Sequence, residues 1–399
     1  MSDEPNISST RTGRPKRKLI AIVAIALAVT LVAVFAVGYL LGWFNSIVYG
    51  YNARTYSIRT IANEQLSIHF IQLDNGANGE SIYIKAGDTD VLIDAGSTPT
   101  SAKRISNYVN RYCSDGRLEY VIVTHADADH IAGFVGTTVA KGIFDSYECE
   151  TIIQFARTNQ DSDIYKDYCA KRDAEVVAGA KAYTALDCYN NTKGAQRTYQ
   201  LAEGITLTIL YQEYYETFTS NENDYSVCVL ISQQYQVGDT TETNHYIFTG
   251  DLEQAGEQSL VKYNPNLPQV VLYKASHHGS STSANEPLLN VINPQIVCVS
   301  CVAGSIEYTT NMSNTFPTQQ FINRIANYTD RVYVTDVAKL ALNNKTGYYN
   351  VVGTSPLNGD IVCACTNGEV TMYFSHNDTK LKDTDWFRDN RTPPTAWAN

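Results

Sequence analysis

Thr124-His125-Ala126-Asp127-Ala128-Asp129-His130-Ile131-Ala132-Gly133 follows directly on the apolar run that ends at Val123. Four potential metal ligands, His125, Asp127, Asp129 and His130, fall within six residues. A strand that ends in a tight loop and opens a helix aims alternate side chains at one point beyond the sheet edge, which is the geometry a metal site requires. Gly133 lets that helix approach its neighbours closely. A solvated loop would also be polar, but His and Asp clustered at a strand end read as a site.

Two further stretches stand at predicted strand ends: Phe248-Thr249-Gly250-Asp251-Leu252-Glu253, and Tyr273-Lys274-Ala275-Ser276-His277-His278-Gly279-Ser280. Asp251 can bridge two cations, and an imidazole from His277 or His278 can complete a second position. Asp94, in Leu92-Ile93-Asp94-Ala95-Gly96, likewise follows an apolar run. Alone, Asp251 or His278 would be an ordinary loop residue; together with the first cluster they describe a centre.

Outward from these motifs, short β-rich runs alternate with helical stretches. Strands are predicted at 66–73, 81–84, 91–94, 118–124, 151–154, 205–210, 226–232, 246–249, 270–274, 296–300, 331–335 and 368–373. Helices are predicted at 101–112, 163–172, 253–263 and 318–328, while 175–197 gives no decisive pattern. The mixed order indicates an α/β or α+β layered sandwich rather than strict βαβ repetition. No internal repeat is visible.

Residues 19–44 are uncharged and mostly apolar. That run exceeds the ~20 residues a membrane-spanning helix needs and the ~7–15 of a secretory signal core. Arg11, Arg14, Lys16, Arg17 and Lys18 flank it, so the expected topology is a cytoplasmic N-terminus (1–18), a single anchor (19–44) and everything after it outside. A polar connector (45–65), a catalytic domain (66–375) and a polar tail (376–399) complete the expected organisation. The whole chain carries −11 and the first 18 residues +3, which leaves −14 on the rest. So acidic a body disfavours tight nonspecific binding of polyanions.

The nine cysteines are too sparse for a disulfide scaffold. Cys298 and Cys301 lack the second Cys/His pair a structural zinc site needs, and they read as a buried strand thiol and a loop thiol. Cys363 and Cys365 alternate along a probable strand, on one face and too constrained to bridge each other easily.

The motifs together resemble the metallo-β-lactamase-fold superfamily, and within it the hydrolase domain of the competence protein ComEC and its stand-alone relatives. The resemblance covers residues of about 66–375. It is carried by Leu73-Asp74-Asn75-Gly76 through Gly79-Glu80-Ser81, Leu92-Ile93-Asp94-Ala95-Gly96, the His125 to Gly133 stretch, Asn223-Asp224-Tyr225-Ser226, Thr249-Gly250-Asp251, His277-His278-Gly279-Ser280 and Thr335-Asp336.

The resemblance implies a four-layer αββα sandwich with the metal centre at one edge. It places His125 and Asp127 at a first metal position, Asp129 and His130 at a second, Asp251 as the bridge and His278 as the remaining imidazole. Asp127 stands where most of the superfamily has a second histidine, so the site is harder and manganese rivals zinc for the one or two divalent ions. Asn223 and Ser226 join Lys274 and Ser280 as candidate substrate-binding residues. Two departures stand out: an extra residue, Asn78, in the first Gly-rich element, and Phe316 before Pro317 where the family has a histidine. His245 reads as a loop residue just before a strand, and His69 and His376 as structural.

Such a centre hydrolyses by activating water and polarising a phosphoryl or acyl oxygen. Asp129 is expected to orient or deprotonate the water, and His277, if His278 is the ligand, to contact substrate or protonate the leaving group. The expected function is hydrolysis of a phosphodiester outside the membrane, extracellular DNA included. An acyl or lactam substrate, or a noncatalytic metal-binding module, are the alternatives. Protein partners are unspecified by the sequence.

Overall fold

Sixteen strands build two mixed eight-stranded sheets among the described residues, which in this computed structural model are Thr30, 61–342 and 349–398. β1 (Leu66–Phe70), β2 (Ile82–Ala86), β3 (Thr89–Ile93), β4 (Arg117–Val123), β5 (Glu148–Gln154) and β6 (Lys181–Thr184) lie in the first sheet. β7 (Thr198–Ala202), β8 (Ile205–Leu210), β9 (Cys228–Val237), β10 (Thr240–Phe248), β11 (Leu272–Lys274), β12 (Ile296–Ala303), β13 (Val332–Leu342) and β14 (Tyr349–Pro356) form the second. β15 (Ile361–Thr366) and β16 (Glu369–Phe374) return to the first, where β15 pairs with β1. The orders are β16-β15-β1-β2-β3-β4-β5-β6 and β14-β13-β12-β11-β10-β9-β8-β7.

Each sheet has a parallel segment: β3 to β6, which runs to one edge of the first sheet, and β10 to β13, which lies between antiparallel pairs in the second. β12 shows the sequence consequence: Ile296–Ala303 is buried at all its positions and apolar at all but Ser300, as in a parallel strand covered on both faces.

The helices are α1 (Ser101–Val109), α2 (Ala128–Val135), α3 (Asp163–Ala178), α4 (Ala185–Asn190), α5 (Gln254–Tyr263), α6 (Glu286–Ile292), α7 (Gln319–Ile325) and α8 (Asp385–Asn390). One apolar cluster joins side chains of both sheets with α1 to α4; a second packs α5 to α8 on the second sheet. The arrangement is an α/β fold of two mixed sheets with helices.

Several expectations need correcting. The stretch 175–197 is ordered as the end of α3, then β6 and α4, and α4 is started by a capping box in which Thr184 and Asp187 satisfy each other's backbone N–H. His245 lies inside β10, with Nδ1 at 3.0 Å from Ser232 Oγ, not in a loop. Residues beyond 375 are not a free tail: Leu381, Trp386, Phe387 and Trp397 join the second cluster, and Arg391 donates to the carbonyls of Thr315 and Pro317. His69 is structural as expected, held between Ser67 and Tyr108, and burial pushes its imidazole down to about 3. The anchor proposed at 19–44 falls outside the described residues except for Thr30. Among the described residues no helix is long and apolar enough to cross a membrane.

Candidate metal centre

Side chains of the centre follow the C-terminal ends of parallel strands, where an α/β sheet opens a crevice. Asp94 follows β3, His125 and Asp127 follow β4, Asp251 follows β10, and His277 and His278 follow β11. Asp127 is also the N-cap of α2, whose first turn carries Asp129 and His130. α2 lies on the loop after β3 so closely that a Cβ on Gly133 would sit 1.9 Å from the Ala95 carbonyl oxygen. That proximity lets Ala95 N–H donate to His130 O at 2.8 Å.

Asp129, His130, Asp251 and His278 offer ligand atoms that all lie within 4.8 Å of one another. His130 Nε2 and His278 Nε2 are each 3.3 Å from Asp251 Oδ2, and His278 Nε2 is 3.4 Å from Asp129 Oδ2. His125 stands beside this group, its ring centroid 4.1 Å from that of His130 and its Nε2 3.6 Å from Asp127 Oδ2.

Each imidazole is anchored through Nδ1 and turned so that Nε2 faces the centre. His130 Nδ1 donates to Asp94 Oδ2 at 2.7 Å, and Asp94 also accepts from Thr124 N and Oγ1. His278 Nδ1 donates to the Ser300 carbonyl at 2.7 Å. That carbonyl lies where β12 and β13 lose register between Val299 and Val302, and such a bulge leaves a backbone group unpaired in the ladder. His125 Nδ1 is 3.1 Å from Thr124 Oγ1 and 3.5 Å from Ser226 Oγ.

The Nε2 atoms of His125, His130 and His278 are all buried without a hydrogen-bond partner. Three orphaned imidazole nitrogens converging on carboxylates are what a bound cation would satisfy, since buried polar atoms otherwise find partners. The donor set of imidazoles and carboxylates therefore fits a divalent ion, with nothing in it that selects zinc over manganese.

Asp251 is the electrostatic centre. Burial alone would raise its carboxyl, but Lys274, then His278 and His130, outweigh burial and hold it well below the usual range. Lys274 corrects an expectation. Its amine is fully buried, donates to Gly250 O (2.7 Å) and Asp251 Oδ1 (3.0 Å), and is ion-paired with Glu80 Oε2 at 2.7 Å. It is neither solvated nor open to a substrate phosphate. Ser226 is likewise buried beneath the centre, accepting from Asp251 N–H at 3.0 Å, and Ser280 is turned to Thr282 Oγ1 at 2.9 Å. None of the three lines the cleft.

Asn223 and His277 do line it. The cleft has a volume of about 670 Å³ and opens on Asp127, Asp129 and Asp251. His277 and His278 point in different directions because both have positive φ (47° and 54°) and are followed by Gly279 at 79°, a left-handed run that non-glycine residues rarely adopt. His278 turns inward, while His277 Nδ1 lies 3.1 Å from Glu253 Oε1 at the cleft wall.

Sequence reasoning passed over Glu80, Glu307 and Tyr308. Tyr308 Oη donates to Asp129 Oδ2 at 3.0 Å. The extra residue Asn78 has a job: its N–H and Nδ2 donate to Glu307 Oε2 at 2.7 and 3.0 Å. Phe316 packs edge-on against His277, centroids 5.6 Å apart. Glu80 was visible in the Gly79-Glu80-Ser81 motif, but no local signal tied it to Lys274.

Residues 75–140 match the metallo-beta-lactamase superfamily model. The chain is 25% identical over 229 residues to competence protein ComA of Neisseria gonorrhoeae, covering 57% of this chain and 26% of that protein. It is 25% identical over 233 residues to recombination protein 2 of Haemophilus influenzae, covering 57% and 23%. The chain thus spans about a quarter of the length of these relatives. Among solved structures, the metallo-beta-lactamase fold protein YhfI of Bacillus subtilis aligns with 71% of this chain and 98% of its own, at 13% identity and a TM-score of 0.37. The chain carries a metallo-beta-lactamase superfamily domain, and its competence-named relative is consistent with the ComEC-like subgroup.

Proposed function

We propose, from a metallo-beta-lactamase superfamily domain with this centre, a metal-dependent phosphodiesterase anchored by residues 19–44 with its catalytic domain outside the membrane. One observation carries the hydrolase reading: three buried imidazoles present partnerless Nε2 atoms to the carboxylates of Asp127, Asp129 and Asp251. Asp129, His130, Asp251 and His278 would hold one ion, and His125 and Asp127, sharing Asp251, a second. A divalent ion bound there supplies Lewis-acid polarisation of the substrate and eases deprotonation of water.

The chain's own groups do the rest. Asp129 lines the cleft, where its carboxylate can orient the attacking water. His277, steadied by Glu253, can give a proton to the leaving oxygen. Asn223 Nδ2, 3.1 Å from Glu253 Oε1, stands beside that pair and can contact the substrate. The phosphodiester assignment draws on relatives named for competence and recombination.

The test is KM for single- and double-stranded DNA across a salt series, beside bis(p-nitrophenyl) phosphate, with Mn²⁺ or Zn²⁺. For a nuclease gripping many phosphates, log(1/KM) falls against log salt with a slope of about −0.9 per contact; the acidic body here should show a slope of only about −1 to −2. Cleavage of neither DNA nor the small diester under any divalent metal sinks the phosphodiesterase reading and favours an acyl or lactam substrate.

For the topology, protease added to intact cells is expected to digest the catalytic domain, as the cationic flank before residue 19 dictates. Protection until lysis would reverse the orientation.

A further inference from the structure

The cleft before the metal centre has two unlike sides. Asp127, Asp129, Asp251 and Glu307 make it acidic, and among the described residues no Lys or Arg lines it. A substrate that depended on many phosphate contacts would find no counter-charge here beyond the centre itself.

Against this acid stands a row of rings. Tyr308 and Phe316 have centroids 5.9 Å apart, and Phe316 and His277 5.6 Å. Tyr308 is 56% exposed, a large ring left open beside the ligand set although its hydroxyl reaches Asp129. The loop that carries both rings is built to hold still. Gly304 N–H donates to Phe316 O at 2.8 Å, Thr318 N–H to Gly279 O at 2.9 Å, and Asn78 clamps Glu307 from one side and Val302 N–H from the other. Such preorganisation lowers the ordering cost of binding a flat ligand.

We infer that the exposed Tyr308 ring is a stacking platform for an unpaired nucleobase next to the scissile phosphate, braced by Phe316, whose plane is tilted 47° from it. The inference deepens the phosphodiesterase reading and rests on it for the position of that phosphate. Stacking suits this cleft because it needs no cation and accepts any base. A duplex keeps its bases stacked and paired, so the platform selects a nucleotide-sized diester or the end of a single strand.

The test uses the full-length, metal-loaded protein and the variants Tyr308→Phe and Tyr308→Leu, which lose the same hydroxyl but differ in the ring. Binding of thymidine 5′-monophosphate and of deoxyribose 5-phosphate is measured by calorimetry, and turnover with thymidine 5′-(p-nitrophenyl phosphate) and methyl p-nitrophenyl phosphate. Relative to Tyr308→Phe, Tyr308→Leu should weaken thymidine monophosphate and raise KM for the thymidine ester about tenfold, with the two base-free compounds within about twofold. Equal effects on compounds with and without a base, or no difference between the variants, overturn the platform. If the wild type cleaves neither ester but binds the nucleotide with that ring dependence, the phosphodiesterase reading falls and the platform stands.

Discussion

Asp251→Ala is expected to remove metal and turnover together. Its Oδ2 is 3.3 Å from both His130 Nε2 and His278 Nε2, while its Oδ1 takes the Lys274 amine, so one side chain joins the ligand set to the buried cation behind it. Without it the two imidazole Nε2 atoms lose the carboxylate they both face, and Lys274 keeps only the ion pair with Glu80 and the Gly250 carbonyl. We expect kcat/KM to fall by at least about 10²–10³-fold, the range for losing one preorganised electrostatic group. Metal content by atomic spectroscopy should fall in parallel. His245→Ala is the control: that ring sits in β10 against Ser232 and should leave both quantities within experimental scatter. Survival of stoichiometry and rate in Asp251→Ala would show that the centre lies elsewhere.

Lys274→Met should cost stability even with the metal stripped away. The amine is buried among two carboxylates and a carbonyl, and burial pushes the Glu80 carboxyl up while Lys274 opposes that push. Removing one partner of a buried ion pair leaves the others uncompensated, which costs about 3–5 kcal/mol. Denaturant unfolding in chelator measures this loss directly. Because Lys274 also positions Asp251, metal affinity should drop by a further ~10–100-fold, as for other groups that orient a ligand. Lys380→Met, which breaks a half-exposed pair with Asp330, should change stability by about 1 kcal/mol or less. A Lys274→Met protein no less stable than Lys380→Met would mean that the buried triad contributes nothing net.

How much of this was legible beforehand follows from how local each signal is. His125, Asp127, Asp129 and His130 stand out because a strand end and a helix start compress them into one motif, and Asp251 and His278 because each follows a short apolar run in β10 or β11. Gly133 could be read as a contact glycine for the same reason. By contrast, β6, β7 and α6 were overlooked, as short elements with half-exposed faces that carry weak periodicity. Pairing across long separations was invisible too: β15 joins β1 only in the folded chain, Leu66 opposite Cys365.

The sequence by itself determined the ligand types and the strand ends that bear them, since both are encoded within about ten residues of chain. Tertiary structure alone decided which groups face the cleft and which stand behind it. Lys274 and Ser226 look like substrate contacts in one dimension, yet they are buried beneath Asp251, and Tyr308 reaches Asp129 across 179 residues. The left-handed run through His277, His278 and Gly279 splits two adjacent histidines between cleft and interior. Side-chain direction there depends on backbone dihedrals and on distant partners, Ser300 for His278 and Glu253 for His277, which no local pattern specifies.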